Sequence, residues 1–244
     1  MAGLGFLVVV VISLIYVVTT FGARRPFPTR RFDVGVAVGV VVSAAGAIRK
    51  RRVGVAALTW IGAALWFLLT RRELRVQPTT DLLVTDGSIV PEFEVTTSGG
   101  HPFNNRDLVD AAPAVLIVYR GWWCPYCTTQ LEGIKREHEL LAANGITTFA
   151  LSTDPPDVAA ALDERMGPSL TILSDPEGSA IDAFGVRDRR QPPWYDRVFL
   201  GAKRVDIATP ATFAIDASGT VAMARRSERI DHRGAVSDVI RALS

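Results

Sequence analysis

Cys124-Pro125-Tyr126-Cys127 contains the only two cysteines of the chain. They stand where an apolar run, Ala114 to Tyr119, gives way to a helical pattern from Thr128 to Leu141. A cysteine at the start of a helix meets unpaired backbone N–H groups and the positive end of the helix dipole. Both favour a thiolate over a thiol. The thiolate is the form that attacks disulfides and is oxidised by peroxides. With two residues between them, the second sulfur can reach back to the first, so one disulfide can form and break without unfolding the chain. This chemistry requires Cys124 to be open to solvent.

Other uses of the pair are conceivable. A structural zinc site needs four ligands, and Cys-x-x-Cys supplies only half of them. His101, His138 and His232 stand alone, with no His-x-x-x-His spacing, so no metal or other cofactor is expected. A structural bridge across two residues would close a very small loop and constrain the unfolded chain little. A redox pair is the reading that the residue types favour. Around it, Arg120 could lower the Cys124 pKa or bind a peroxide anion, or could simply pair with a nearby acid. Trp122 and Trp123 could flank the thiolate as a recognition surface, with one of them packing in the core.

The elements that position this pair follow from composition. The chain has 244 residues and a formal net charge of +2. That sum conceals a division: residues 1–70 carry +7 and the remainder −5. No basic-aromatic stripe points to nucleic acid. The first part contains three uncharged runs, Leu4–Phe21, Val34–Ile48 and Val53–Leu69. They predict a membrane anchor over residues 1–76, with three transmembrane helices at about 4–21, 34–48 and 53–69. The second run is short, and its Gly35, Gly39, Ser43 and Gly46 suit close helix contact. Basic residues weighed on each side of three spans place the remainder of the chain in the cytoplasm. Residues 77–88 read as a linker and 89–244 as a separate domain.

Within that domain the continuous apolar run Ala114–Tyr119 predicts a central strand covered on both faces. Further strands are expected at Phe93–Thr96, Ile146–Ser152, Leu170–Leu173, Thr212–Ile215 and Val221–Ala224. One helix is expected from Cys124 to Leu141, ended by Asn144-Gly145. Others open at Pro155-Pro156 and Ser179, and an amphipathic helix closes the chain from Arg233 to Leu243. Val186–Ala208 reads as a long functional loop. The order implies an α/β fold, a mixed sheet with helices on both faces.

Val118-Tyr119-Arg120-Gly121-Trp122-Trp123-Cys124-Pro125-Tyr126-Cys127 resembles the active-site stretch of the peroxiredoxin-like branch of the alkyl hydroperoxide reductase/thiol-specific antioxidant group. Leu151-Ser152-Thr153-Asp154, Leu173-Ser174-Asp175-Pro176-Glu177-Gly178 and Phe184-Gly185-Val186 resemble later stretches of the same family. Thr209-Pro210-Ala211-Thr212-Phe213 is similar to the segment that carries a cis-proline in thioredoxin-like proteins. The resemblance covers about Ile89 to Leu243 and implies a thioredoxin-like sheet. It implies that Cys124 attacks and Cys127 resolves. It further implies that Pro210 is a cis-proline facing the disulfide and that Thr209 offers backbone groups to a bound partner chain. Two positions depart from the family. Gly121 stands where peroxiredoxins have a threonine or serine, and Pro210 where they have an arginine.

The leading expectation is therefore a membrane-anchored thiol–disulfide oxidoreductase, with protein or small-molecule thiols and disulfides as partners and a lipid bilayer as its support. The alternatives are a thiol peroxidase acting on hydroperoxides and a membrane-tethered redox sensor.

Overall fold

The structure, a computed structural model, describes residues 2–22, 29–50, 53–73, 81–189, 192, 194–202, 207–228 and 236–244. Its contacts divide the chain into two units, Met1–Arg75 and Val76–Ser244.

The first unit is helical. α1 (Ala2–Val17) runs on through a π-helical turn, Val18–Gly22, and is followed by α2 (Thr29–Lys50) and α3 (Val53–Glu73). Small residues let α1 and α2 approach closely. A Cβ on Gly5 would strike the Gly39 carbonyl and Ser43. Polar groups point inward: the Ser43 hydroxyl donates to Thr59 Oγ1 at 3.0 Å, and Trp66 Nε1 donates to Asp33 Oδ1 at 2.8 Å. Leu7, Leu14, Val41, Leu58, Leu65 and Leu68 point outward and are exposed. Only one stretch among the described residues, Gly3–Thr20, is long and apolar enough to cross a membrane. The expectation of three spanning helices is corrected on this point. The apolar stretches Phe32–Ala45 and Val53–Leu68 are shorter, because Arg31 and Asp33 cut into the first and Arg71 and Arg72 end the second. The basic clusters behind the orientation reading lie outside the described side chains.

The second unit runs β1 (Glu94–Thr97), β2 (Pro102–Asn104), α4 (Asn105–Asp110), β3 (Ala114–Val118), α5 (Pro125–Arg136), α6 (His138–Ala143), β4 (Thr147–Ser152) and α7 (Pro156–Met166). It continues with β5 (Thr171–Ser174), α8 (Ser179–Ala183), β6 (Arg187–Asp188), α9 (Trp194–Phe199), β7 (Ile207–Ala208), β8 (Ala211–Ile215), β9 (Val221–Arg226) and α10 (Val236–Leu243). Seven strands form one mixed sheet in the order β2-β1-β5-β4-β3-β8-β9. β3, β4 and β5 are parallel, and β1, β8 and β9 join antiparallel. β6 and β7 form a separate ribbon.

β3 is buried along its whole length because both faces are covered. Leu116 and Val118 meet Phe149, Leu151, Phe184 and Phe213 on one side. Val115 and Ile117 meet Ile134 of α5, Leu141 of α6 and Val239 of α10 on the other. Each such fully buried side chain contributes roughly 1.5–3 kcal/mol relative to exposure. The helix expected from Cys124 to Leu141 is two helices. Glu137 leaves the helical region at φ −99 and ψ 8, and its N–H is shared between the Gly133 and Ile134 carbonyls. The region read as one long loop, Val186–Ala208, holds β6, α9 and β7 among its described residues. α4 is fixed by a reciprocal cap, in which Asn104 and Asp107 accept from each other's backbone N–H.

Candidate active site

Parallel strands β3, β4 and β5 end on the same edge of the sheet, where α/β folds place their ligands. The register Val118↔Leu151 and Ser152↔Ser174 gathers three segments there: Tyr119 to Cys127, Ser152 to Asp154, and Ser174 to Asp175. β8 runs the other way, with Val118↔Ala211, so Thr209 and Pro210 arrive beside the end of β3. The sequence-predicted site residues thus meet in one place.

Cys124 is the N-cap of α5, with Pro125 at the first helical position, where the missing N–H costs nothing. Its carbonyl accepts from the N–H groups of Cys127 and Thr128, at 3.0 and 3.1 Å. Cys127 therefore sits one turn into the helix, and both residues are thiols. Cys124 is only 1% exposed and Cys127 is fully buried. The expectation of a first sulfur open to solvent is corrected. A stack of side chains lies at the same end of β3. Trp123 is buried, the Arg120 guanidinium lies 5.1 Å over its ring, and Arg120 is itself paired with Asp196 of α9 at 3.9 Å. Of the two readings of Arg120, the pairing with an acid is the one observed. Among the described residues Arg120 forms no hydrogen bond or ion pair with either cysteine. Trp123 is the core-packing tryptophan; Trp122 is 37% exposed beside the dithiol.

Gly121 has φ +150, a backbone setting that favours glycine. A Cβ there would lie 2.5 Å from Trp123 Nε1 and 3.1 Å from Asp154 Oδ1. The threonine of the family pattern does not fit this loop as it stands.

The expected cis-proline is also corrected. Among the described residues the one cis peptide bond is Ala112–Pro113, and Thr209–Pro210 is not cis. The chain runs straight from β7 through Thr209 and Pro210 into β8, with no tight turn to offset the intrinsic preference for trans. Thr209 has no backbone N–H to offer a partner chain, since it donates to the Val186 carbonyl at 2.6 Å.

Three residues that the sequence reading did not single out as site residues complete the floor. Asp154 is buried, and its Oδ2 accepts from the Trp122 N–H at 2.8 Å and from the Ser152 hydroxyl at 2.9 Å. It thus ties the loop before Cys124 to the end of β4. Tyr119 is fully buried, and its hydroxyl has no partner in hydrogen-bond geometry, although Ser152 and Asp154 lie near enough to bear on its ionisation. Burial first, and then the nearby Asp154, push this phenol well above its usual value. Asp175 serves a different purpose: its two oxygens accept from the Ser179 and Ile181 N–H groups and fix the start of α8. Burial raises its pKa against those hydrogen bonds. The signal available for Asp154 was its position, a polar Ser-Thr-Asp directly after an apolar strand. Among the described residues no group of three or more His, Cys, Asp or Glu side chains is placed to hold a metal ion.

A model of the AhpC/TSA family matches residues 87–224, more than half of the chain. Peroxiredoxin Bcp of Escherichia coli strain K12 is 27% identical over 135 residues, 55% of this chain and 81% of that protein. A putative peroxiredoxin bcp of Haemophilus influenzae is 30% identical over 120 residues, 49% of this chain and 72% of that protein. Peroxidoxin BcpB from Mycobacterium tuberculosis superposes with a TM-score of 0.53 at 24% identity, covering 65% of this chain and 96% of that one. A thiol peroxidase from Chromobacterium violaceum gives a TM-score of 0.53 at 16% identity, covering 69% and 94%. The structural likenesses establish the thioredoxin-like fold. The family match establishes more: the chain belongs to the AhpC/TSA family.

Proposed function

We propose that this AhpC/TSA family member is a thiol peroxidase in which Cys124 reduces a small hydroperoxide and Cys127 resolves the product. Its family makes it a thiol oxidoreductase; the proposal adds the substrate and the division of labour between the sulfurs. The Cys124 thiolate attacks the distal peroxide oxygen, the O–O bond breaks, and an alcohol or water leaves with a proton. Cys124 becomes a sulfenic acid. Cys127 displaces its hydroxyl as water and forms the disulfide, which a dithiol of a reductant then reopens.

The observation that carries this reading is the place of Cys124 as the N-cap of α5 with Cys127 one turn on, in a chain of the AhpC/TSA family; the buried pair must open for any substrate to reach it. A protein disulfide must bring its own sulfur into line with the attacking one, together with the chain that bears it. A hydroperoxide needs room for two oxygens. The engaged Thr209 N–H and the trans Pro210 weigh further against docking of a partner strand. The relatives named as peroxiredoxins support the same choice.

The first unit supports attachment to a lipid bilayer through α1. Its interior is apolar apart from a few hydrogen-bonded polar groups, and its exterior is apolar too, unlike that of a water-soluble bundle. Arg24, Arg25, Arg30 and Arg31 follow the π-helical turn Val18–Gly22 within ten residues, which favours the second unit on the cytoplasmic side. Resistance of the protein to carbonate extraction from membranes is the expected result, and release into the soluble fraction would refute it.

The test of the activity is Cys127→Ser. In that variant tert-butyl hydroperoxide should leave one sulfenic acid, at Cys124, that dimedone captures, and turnover should cease. A dithiol-dependent reduction of insulin disulfides that exceeds hydroperoxide reduction in the unmodified protein would overturn the peroxidase reading in favour of a disulfide oxidoreductase.

A further inference from the structure

A tight turn delivers Cys124 to the start of α5. It runs from Gly121 to Cys124 and is closed by the Cys124 N–H, which donates to the Gly121 carbonyl at 3.1 Å. The N–H of its second residue, Trp122, leaves the turn and donates to Asp154 Oδ2 at 2.8 Å. Asp154 is 4% exposed and follows the end of β4. The same Oδ2 accepts from the Ser152 hydroxyl at 2.9 Å, and the Asp154 N–H donates to Ser152 Oγ at 3.1 Å. The Asp154 carbonyl accepts from the Ser174 hydroxyl, at the end of β5, at 2.7 Å. One buried residue therefore joins the turn after β3 to the ends of β4 and β5. A hydrogen bond to a carboxylate is stronger than one between neutral groups, and a buried N–H left without it is costly. Gly121 makes room for this contact, since a Cβ there would lie 3.1 Å from Asp154 Oδ1.

We propose that Asp154 is a positioning residue for Cys124: by holding the Trp122 N–H it fixes the turn that sets where the reactive residue stands. The inference rests on the peroxidase reading above for its reaction, although the clamp itself needs no oxidant. Cys124 is enclosed, so the turn must give way for a substrate to enter, and the clamp sets the place to which it returns. Attack on a peroxide needs the sulfur in line with the O–O bond, and an error of about 1 Å costs about a hundredfold. In this role Asp154 acts through the Trp122 backbone and takes up no proton.

Loosening the turn has two opposite consequences. Cys124 becomes easier to reach for a small alkylating reagent, and slower with a hydroperoxide that demands alignment.

The experiment uses the full chain in detergent and compares Asp154→Ala with Asp154→Asn. Both variants lose the charge. Asparagine keeps an oxygen that can accept from Trp122, and alanine does not, so the gap between them reads the hydrogen bond. Iodoacetamide should label Cys124 about tenfold faster in the alanine variant than in the asparagine variant. tert-Butyl hydroperoxide should oxidise Cys124 at least about tenfold more slowly in alanine than in asparagine. A second pair removes the same bond from the donor side, and it decides the matter if Asp154→Ala does not fold. Trp122→Pro lacks the N–H, and proline suits the second position of a turn; Trp122→Ala keeps the N–H. Trp122→Pro should differ from Trp122→Ala in the same two directions. Labelling rates within about twofold of each other in both pairs, or oxidation that quickens together with labelling, would overturn the assignment. If hydroperoxide fails to oxidise Cys124 in the wild type, the peroxidase reading falls. The labelling gap then still decides the role of Asp154, together with hydrogen exchange of the Trp122 amide, which should be protected in wild type and Asp154→Asn and fast in Asp154→Ala.

Discussion

Gly121→Ala offers the most direct test of how the loop before the dithiol is built. Two costs arise. The backbone at φ +150 lies where side-chain-bearing residues are strained by about 1–3 kcal/mol. The new Cβ would also lie 2.5 and 2.9 Å from the Trp123 Nε1 and Cδ1 atoms and 3.1 Å from Asp154 Oδ1. Trp123 is buried under Arg120 and cannot swing aside as a flexible chain end would, so overpacking adds about 1–3 kcal/mol. Taking a middle value of about 4 kcal/mol, and roughly 2–4 °C of melting temperature per kcal/mol in a domain of this size, the variant should melt roughly 8–16 °C lower. Gly145→Ala is the control. Gly145 has φ +69 and nothing within 4 Å of a Cβ, so it should lose only the backbone part, about 1–2 kcal/mol. The difference between the two measures the crowding around Trp123 and Asp154. Thermal unfolding followed by near-ultraviolet circular dichroism reads both. Equal shifts in the two variants would refute the packing argument. Gly121→Thr, which restores the residue type of the family pattern, should lose at least as much stability and gain no peroxidase activity. A gain in activity would show that the loop can take the family's geometry after all.

Two further outcomes concern the cover of the site and the pH range of the fold. Asp196→Asn removes the partner of Arg120; a partly buried pair of this kind holds about 1 kcal/mol, so iodoacetamide should label Cys124 about fivefold faster. An unchanged labelling rate would mean that the Arg120–Asp196 contact does not restrain access. Asp86 accepts from Arg225 and from the Ala224 N–H, and the arginine hydrogen bond first, then the backbone one, hold its carboxyl below the ordinary 3.8. A depressed carboxylate stabilises the fold above its unfolded pKa and loses that contribution as pH falls through the native value. Asp86→Asn should therefore melt lower than wild type at pH 6, with the gap closing as the pH falls below 3.8. A gap that persists or grows in acid would refute the linkage.

What could be read in advance was local. Ala114–Val118 announced a doubly covered strand because every position was apolar, and Pro125 marked the start of α5 because proline suits a first helical turn. The break at Glu137 could not be read, since the stripe of Leu131, Ile134 and Leu141 continues across it in phase. β6, α9 and β7 were invisible because each is too short to show a period. The floor of the site was hidden for another reason. Tyr119 and Asp154 become neighbours only through the pairing of β3 with β4, and a run of letters does not fix register. The Arg120–Asp196 pair depends likewise on Asp196 arriving from α9, which no local pattern announces. Pro210 misled because a family segment was carried over with its peptide geometry. The straight passage into β8 leaves no turn for a cis bond to close.

The two sulfurs share one helical turn yet face different physics, and that difference orders the reaction. Cys124 stands at the N-cap, where the helix end stabilises negative charge. Cys127 has its own N–H tied to the Cys124 carbonyl and lies in the same buried space as a carboxylate and a phenol. Negative charge on the fully buried Cys127 would be held without water to screen it, and low dielectric makes such charge costly. The first sulfur is thus suited to react as an anion and the second to remain neutral until its proton has somewhere to go. A site with two equally ionised thiols would let either attack first. On the proposed mechanism Cys124 attacks first and Cys127 follows once its neighbour is oxidised. It follows that exchanging the environments should exchange the roles. In a Cys124→Ser variant, Cys127 should remain slow toward hydroperoxide at neutral pH, and adding Asp154→Asn should accelerate it. An equally fast Cys127 in both backgrounds would show that the buried charge does not set the order.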